Sequence, residues 1–129
     1  MRMLLMSHGQ MAKAALGSAE LIMGELDNVQ AIGLNPDQGP DDLQSAAEEF
    51  LNQTEDEETV VAVDLLGGTP SNVVIRLLAK YPNIQVISGI NLPLIIEFAN
   101  QSMMGNGLNK AQLISMAKDG IADVNEKLK

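Results

Sequence analysis

The chain alternates between short apolar runs and longer segments in which apolar residues recur with a helical period. The apolar runs predict four strands, which comprise Arg2 to Ser7, Ala31 to Leu34, Thr59 to Asp64 and Ile84 to Ser88. After the first strand, apolar side chains recur at spacings of three and four, the period of a helix with one buried face. That face would consist of Ala12, Leu16, Ala19, Met23 and Leu26.

Each strand is followed by a predicted helix, and these run from about Gln10 to Leu26, Pro40 to Asn52, Pro70 to Lys80 and Leu94 to Ser102. Asn109 caps a last helix to about Asp119, after which Ile121 to Leu128 favours helix over strand. This alternation predicts a doubly wound α/β fold, a mainly parallel sheet with helices on both faces. Because there is no internal repeat or linker, residues 1–129 are predicted to form a single domain.

The third predicted strand passes into its helix through a loop of small and polar residues. Its β-branched and small apolar residues predict a strand buried on both faces, and Asp64 ends it. Gly67 and Gly68 would let the backbone approach a ligand closely. Thr69 is the predicted N-cap and Pro70 the first helical residue.

The start of this helix is a candidate anion site. Pro70 has no N–H, so the unpaired donors would be the amides of Ser71, Asn72 and Val73 at the electropositive end of the helix. The alternative is a capped turn in which Asp64 accepts hydrogen bonds from loop amides. Because the loop matches neither a Walker A sequence nor GxGxxG, both interpretations stay open.

His8, the only histidine, is predicted to lie beside this loop. In a doubly wound sheet the ligand site lies where the strand order reverses, commonly between the first and third strands. A neutral imidazole is a competent phosphoryl nucleophile when one nitrogen is fixed by a hydrogen bond, which Asp64 could accept. Thr69, Ser71 and the free amides could then bind the phosphoryl oxygens. The alternative is a structural histidine whose ring nitrogens are hydrogen-bonded within the fold and do no chemistry.

Serine hydrolase chemistry is not favoured by the arrangement around the first strand. Ser7 adjoins His8, but neighbouring residues of a strand point to opposite faces, so His8 is not expected to activate the hydroxyl. Ser7 is instead predicted to offer a hydroxyl or backbone contact near the site.

Composition and charge narrow the class of function. A net charge of −9 argues against nucleic acid as a partner, and two Phe, one Tyr and no Trp leave little surface for stacking on a flavin. One histidine and no cysteine fall short of a structural zinc set, so no metal is expected. The apolar start, Met1 to Met6, is too short for a signal peptide, and no run is long enough to span a membrane. A cytoplasmic protein is therefore expected.

Three motifs, each following a predicted strand, together resemble one known family. They are Ser-His-Gly (Ser7 to Gly9), Asp-Leu-Leu-Gly-Gly-Thr-Pro-Ser-Asn (Asp64 to Asn72) and Val-Ile-Ser-Gly-Ile-Asn-Leu-Pro-Leu (Val86 to Leu94). In this order and spacing they are similar to the IIA proteins of the mannose family, which belong to the bacterial phosphoenolpyruvate-dependent sugar phosphotransferase system. The resemblance covers essentially the whole chain.

The resemblance implies that His8 accepts a phosphoryl group from the phosphocarrier HPr and passes it to a histidine of the cognate IIB component. By analogy the phosphorylated atom is Nε2, with Asp64 bonded to Nδ1. The resemblance implies no cofactor, and contact with the membrane components IIC and IID would occur only through the complex. The transported sugar is not encoded here, because selectivity lies in the membrane subunits.

The resemblance also assigns the surrounding residues. Thr69 matches the family's Ser or Thr that contacts the phosphoryl group, and further phosphoryl-binding candidates are Ser71, Gly68, Ser7 and Gly9. The site would be lined by Leu65, Asn72, Asn91 and Pro93. Asn91 and Pro93 match the family's third loop, with a simple capped turn as the alternative. Lys13 and Arg76 could contact a phosphate or merely solvate a helix.

The family is homodimeric, and its terminal edge strand runs antiparallel and is exchanged between subunits. The resemblance therefore implies a dimer, although the residues from Ile121 to Leu128 favour helix over strand. Many relatives continue through a linker into a IIB domain. This chain stops at Lys129 and so resembles a stand-alone IIA subunit.

Three alternatives share parts of this pattern. A phospho-aspartate receiver domain needs an acidic pair after the first strand to hold Mg²⁺, where this chain has Ser7 and His8. A flavodoxin-like binding module would hold a cofactor phosphate, but aromatic residues are scarce. The related IIA-like subunit of a dihydroxyacetone kinase lacks the Gly-Gly-Thr/Ser-Pro pattern after the third strand, so sugar transport is preferred.

Overall fold

A parallel sheet of four strands organises the protein, whose computed structural model describes residues 1–54 and 56–129. The strands are β1 (Arg2–His8), β2 (Val29–Leu34), β3 (Thr59–Val63) and β4 (Gln85–Ser88). Their order is β2-β1-β3-β4, and every neighbouring pair is parallel. The order reverses between β1 and β3, so the predicted doubly wound sheet and its switch point are confirmed.

The helices cover both faces of the sheet, as predicted. They are α1 (Met11–Met23), α2 (Pro40–Leu51), α3 (Thr69–Leu77), α4 (Leu92–Met104), α5 (Lys110–Asp119) and α6 (Val124–Lys127). Alternating side chains of β1 join two separate cores: Met3 and Leu5 pack with α1, α4 and α5, whereas Leu4 and Met6 pack with α2 and α3. Every residue of β3 is buried, as expected for a strand covered on both faces.

Helix α1 ends earlier than predicted, whereas the C-terminal segment is helical, as its residues favour. Helix α1 stops at Met23, three residues before Leu26, because Gly24 takes a φ of +84° and its amide bonds to the carbonyl of Glu20. The C-terminal segment forms the short helix α6, in which the Asp123 carboxylate accepts from the amide of Glu126 at 3.2 Å. It forms no antiparallel strand within the described residues, so the edge strand expected from the resemblance is absent from this single-chain fold.

The buried Arg2 joins the amino end of the sheet to α2. Its guanidinium donates to the carbonyls of Phe50 at 2.6 Å and Leu51 at 3.0 Å, and its Nε donates to the hydroxyl of Thr59 at 2.8 Å. It also lies over the ring of Phe50, 4.5 Å from the centroid. One side chain thus donates to two carbonyls of the last turn of α2, of which that of Phe50 also accepts from the amide of Gln53 at 3.3 Å. Throughout residues 1–54 and 56–129, no helix has the length and hydrophobicity needed to cross a bilayer.

Candidate functional site

The carboxyl ends of β1 and β3 bring His8 and Asp64 together at the switch point. Met6 pairs with Val63, and the amide of Asp64 extends the ladder by donating to the carbonyl of Met6 at 3.1 Å. The Asp64 Oδ2 atom accepts from His8 Nδ1 at 2.7 Å and from the backbone amide of His8 at 2.9 Å. The Asp64 Oδ1 atom accepts from the amide of Leu65 at 2.9 Å. The carboxylate therefore holds both the histidine and the start of its own loop.

Burial and hydrogen bonding oppose each other at Asp64. Its side chain is 7 % exposed, whereas that of His8 is 47 % exposed. Burial acts to raise the pKa of Asp64, but the hydrogen bonds from His8 and Leu65 outweigh it and leave the pKa below its ordinary value. Asp64 is therefore ionised at neutral pH. Because an ionised carboxylate only accepts, the neutral imidazole must carry its proton on Nδ1, which leaves the lone pair on Nε2.

Helix α3 begins one residue earlier than predicted. Gly68 is the N-cap with an extended backbone, Thr69 is the first helical residue and Pro70 the second. The prediction that Thr69 caps this helix is wrong, because its own backbone has already turned helical and no side chain supplies a cap hydrogen bond. Proline is tolerated at the second position because the amide it lacks would have no partner there either.

This shift changes which amides of α3 remain for a ligand. The amide of Asn72 donates to the carbonyl of Gly68 at 3.0 Å, and Val73 follows it into the helical ladder, so neither is a free donor. The donors left by the first turn are those of Gly68, Thr69 and Ser71. The prediction that Asn72 and Val73 offer free amides is thus wrong, whereas the prediction for Ser71 holds. The electropositive start of α3 still faces the switch point.

The structure does not bring the Ser7 hydroxyl to this site. Ser7 is fully buried on the α1 face of the sheet, and its Oγ accepts from the amide of Ala12 at 2.8 Å. It thereby satisfies an amide at the start of α1, where the side chain of the N-cap residue Gln10 accepts no hydrogen bond from the first turn. The prediction that Ser7 and His8 point to opposite faces is confirmed, and the hydroxyl of Ser7 is engaged with α1 rather than directed at the site, which leaves only its backbone as a possible contact.

Gly9 lies in the loop that follows His8, and it packs against Gly33, a residue that was not among the predicted site residues. Gly9 has a φ of +55°, and its amide donates to the carbonyl of Leu34 at 2.8 Å. A Cβ on Gly33 would collide with the Gly9 carbonyl. The signal in the sequence was a lone glycine inside a predicted strand, which is typical of close backbone approach.

The other candidates on α3 and its loop differ in accessibility. Leu65 and Asn72 are exposed, Thr69 is half-buried and Ser71 is buried. Arg76 is exposed in the last turn of α3, about 10 Å along the helix axis from Thr69, which places it away from this edge. Lys13 is exposed in the first turn of α1, at the same edge as His8.

Asn91 and Pro93 lie at the start of α4, where they hold α5. Asn91 Oδ1 accepts from the amide of Leu94 at 3.0 Å, and its Nδ2 donates to the carbonyl of Ala117 at 2.8 Å. Pro93 packs so closely on Gly120 that a Cβ there would lie 2.5 Å from the proline ring. Both polar groups of Asn91 are thus engaged, an arrangement that favours the capped turn over a lining role.

Within the part of the chain that the structure describes, no group of three or more His, Asp or Glu side chains could hold a metal ion. The switch point itself presents an imidazole oriented by a carboxylate beside a helix start. Such an arrangement can present one nucleophilic nitrogen to an anionic group.

Comparison with known proteins gives matches to one family of proteins. The sequence model of the family described as "PTS system fructose IIA component" (EIIA-man) matches residues 2–117. The chain is 39 % identical over 94 residues to the sorbose-specific EIIA component of the phosphotransferase system of Klebsiella pneumoniae, covering 73 % of this chain and 69 % of the relative. It is 31 % identical over 118 residues to the sorbose-specific EIIA component of Lacticaseibacillus casei, covering 89 % and 81 %.

A solved structure gives the same assignment. The crystal structure of the PTS IIA protein associated with the fucose utilization operon of Streptococcus pneumoniae superposes with a TM-score of 0.88 at 27 % identity, covering 99 % of this chain and 96 % of that one. The match extends over all four strands and the helices described above. The chain therefore belongs to the mannose family of phosphotransferase-system IIA components, whose members are phosphoryl carriers.

Proposed function

We propose that the protein accepts a phosphoryl group from HPr on Nε2 of His8 and passes it to a histidine of a IIB component. The main support is the 2.7 Å contact between His8 Nδ1 and Asp64 Oδ2. This contact keeps the proton of the neutral ring on Nδ1 and the lone pair on Nε2, the atom that must attack phosphorus.

The transfer consists of one bond exchange. The Nε2 lone pair forms a bond to phosphorus while the bond from phosphorus to the donor breaks. The ring becomes positively charged, and the ionised Asp64 stabilises that charge. The first-turn amides of α3 and the hydroxyl of Thr69 donate hydrogen bonds to the phosphoryl oxygens and stabilise their negative charge. The second transfer repeats the exchange with the IIB histidine as nucleophile.

We assign the carrier to the cytoplasm, where it would support sugar uptake and reach IIC and IID only through the complex. We also propose a homodimer, because Ile121, Val124 and Leu128 are exposed apolar side chains that a second copy could cover. Sedimentation equilibrium of the protein and of an Ile121→Asp, Leu128→Asp variant tests this point. A wild-type chain that stays monomeric at all concentrations would refute the dimer.

The phosphorylation itself is tested with labelled phosphoenolpyruvate, enzyme I and HPr. Wild type should take one label per chain and His8→Ala none. The bound label should be acid-labile and alkali-stable, as phosphohistidine is, whereas the opposite pattern would favour the receiver-like alternative. Label on the His8→Ala variant would contradict the proposal.

The acceptor is tested by mixing the labelled protein with a IIB component or with the subunits of a dihydroxyacetone kinase. We expect the label to move to IIB, because the loop from Asp64 to Asn72 resembles that of sugar-transport IIA proteins. Transfer to the kinase subunits alone would favour the alternative assignment.

A further inference from the structure

Gly68 lies against the edge of the His8 imidazole. A Cβ on Gly68 would be 2.7 Å from Cε1 and 3.3 Å from Nε2 of the ring. Carbon atoms in contact are normally about 3.5–4.0 Å apart, so the ring occupies the space of any larger side chain. The backbone of Gly68, with φ −91° and ψ 177°, is one that every residue can adopt. Glycine is therefore required at this position for space rather than for conformation.

The ring has few other restraints. Its Nδ1 atom bonds to Asp64, but nearly half of the side chain is exposed, and it can rotate about two torsions. We propose that Gly68 is a positioning residue: its bare Cα supports the Cε1 edge, so that Nδ1 stays on Asp64 and Nε2 stays beside the first turn of α3. This role rests on the proposed function of His8.

The proposal predicts where the effect of a larger residue will fall. The atom that a Cβ would strike is the end of a rotatable, half-exposed side chain and not backbone. The ring can therefore move by about 1 Å toward solvent while the fold is retained. Such a shift breaks a 2.7 Å hydrogen bond, and misplacement of a reacting group by about 1 Å can lower a rate on the order of 100-fold.

Gly39 offers a matched control. It is the N-cap of α2, has an extended backbone with φ −118° and ψ −177°, and is followed by a proline in the first turn, as Gly68 is. A Cβ on Gly39 would meet nothing within 4 Å. Gly39→Ala therefore reproduces the change in capping and chain entropy without a collision with the ring.

The experiment compares wild type, Gly68→Ala and Gly39→Ala. Nitrogen NMR of protein labelled in histidine reports the tautomer of His8 alone, since the chain has one histidine. Phosphorylation is measured with phospho-HPr and with phosphoramidate, a small donor that needs no protein docking. We expect Gly68→Ala to fold, to populate both ring tautomers and to lose on the order of 100-fold in rate with both donors. Gly39→Ala should match wild type.

Three results would overturn the proposal. Gly68→Ala could retain both the Nδ1–H tautomer and the wild-type rate, or lose the rate while the tautomer is unchanged, which would indicate a role in binding phosphate. It could also fail to fold while Gly39→Ala folds, which would show that the added Cβ strikes backbone. If wild type takes no label, the proposed function fails, whereas the tautomer of unphosphorylated Gly68→Ala still decides the role of Gly68.

Discussion

His8 and Asp64 are 56 positions apart in the sequence, yet Nδ1 and Oδ2 meet at 2.7 Å. The contact exists because β1 and β3 are neighbours in the sheet although an entire strand and two helices separate them along the chain. Two parallel strands that end at the same edge place their following residues side by side. The strand order thus creates the pair, and the hydrogen bonds to Asp64 orient it.

We expect Asp64→Asn to keep the fold and slow phosphorylation of His8 by about 10²- to 10⁴-fold. The amide occupies the same volume, but it carries no charge to stabilise the phosphorylated ring and can donate to Nδ1, which favours the wrong tautomer. Initial rates with labelled phospho-HPr check this expectation. A variant within a few-fold of wild type would show that the 2.7 Å contact does not assist transfer.

The lowered pKa of Asp64 also predicts how stability depends on pH. The folded value lies below the unfolded value of about 4, so the unfolded chain binds a proton first as the pH falls. The stabilisation by the Asp64 carboxylate is therefore complete above about pH 4 and declines as the pH falls through the folded pKa.

Denaturant unfolding of wild type and Asp64→Asn between about pH 5 and about pH 2 measures this decline. The difference in unfolding free energy between the two proteins should shrink toward the acidic end. A difference that stays constant or grows toward low pH would contradict the assigned direction of the shift.

The sequence predicts much of this fold because its pattern is local. A buried run such as Thr59 to Val63 reveals a strand covered on both faces, and the alternation around β1 correctly separates Ser7 from His8. The position of His8 beside Asp64 then follows from the general rule for switch points. These inferences need only periodicity and connectivity.

The parts that the sequence does not predict depend on contacts between distant segments or on single dihedral angles. Gly68 and Thr69 are both acceptable N-caps by residue type, and only the backbone shows that Thr69 is already helical. The hydrogen bond from the amide of Ala12 to the hydroxyl of Ser7 forms only because α1 begins at Met11. The space that His8 occupies beside Gly68 depends on the packing of two loops.

Asn91→Ala should destabilise the protein by about 1–2 kcal/mol and leave phosphorylation within about twofold of wild type. The variant loses the cap of α4 and the bond to the carbonyl of Ala117 but no group beside His8. Asn91→Asp keeps the acceptor for the Leu94 amide and loses the donor to Ala117, so its free energy of unfolding should lie between those of wild type and Asn91→Ala. A slower rate without a loss of stability would instead identify Asn91 as part of the site.

Arg2→Met should reduce the free energy of unfolding by about 2–4 kcal/mol without slowing phosphorylation of the folded protein. The variant removes the guanidinium bonds to the carbonyls of Phe50 and Leu51, leaves Phe50 only the 3.3 Å bond from the Gln53 amide, and removes the contact with the Phe50 ring. His8 lies at the other end of β1, about 20 Å away, so its geometry should be unchanged.

The matched control is Arg76→Met, which removes the same charge from an exposed position on α3 and should change stability by no more than about 0.5 kcal/mol. Arg2→Lys should recover part of the loss, because one ammonium group cannot reach all three acceptors with the fixed geometry of a guanidinium. Equal stabilities of Arg2→Met and Arg76→Met would show that the hydrogen bonds of Arg2 add nothing net. A lower phosphorylation rate in folded Arg2→Met would show that the two ends of the sheet are coupled.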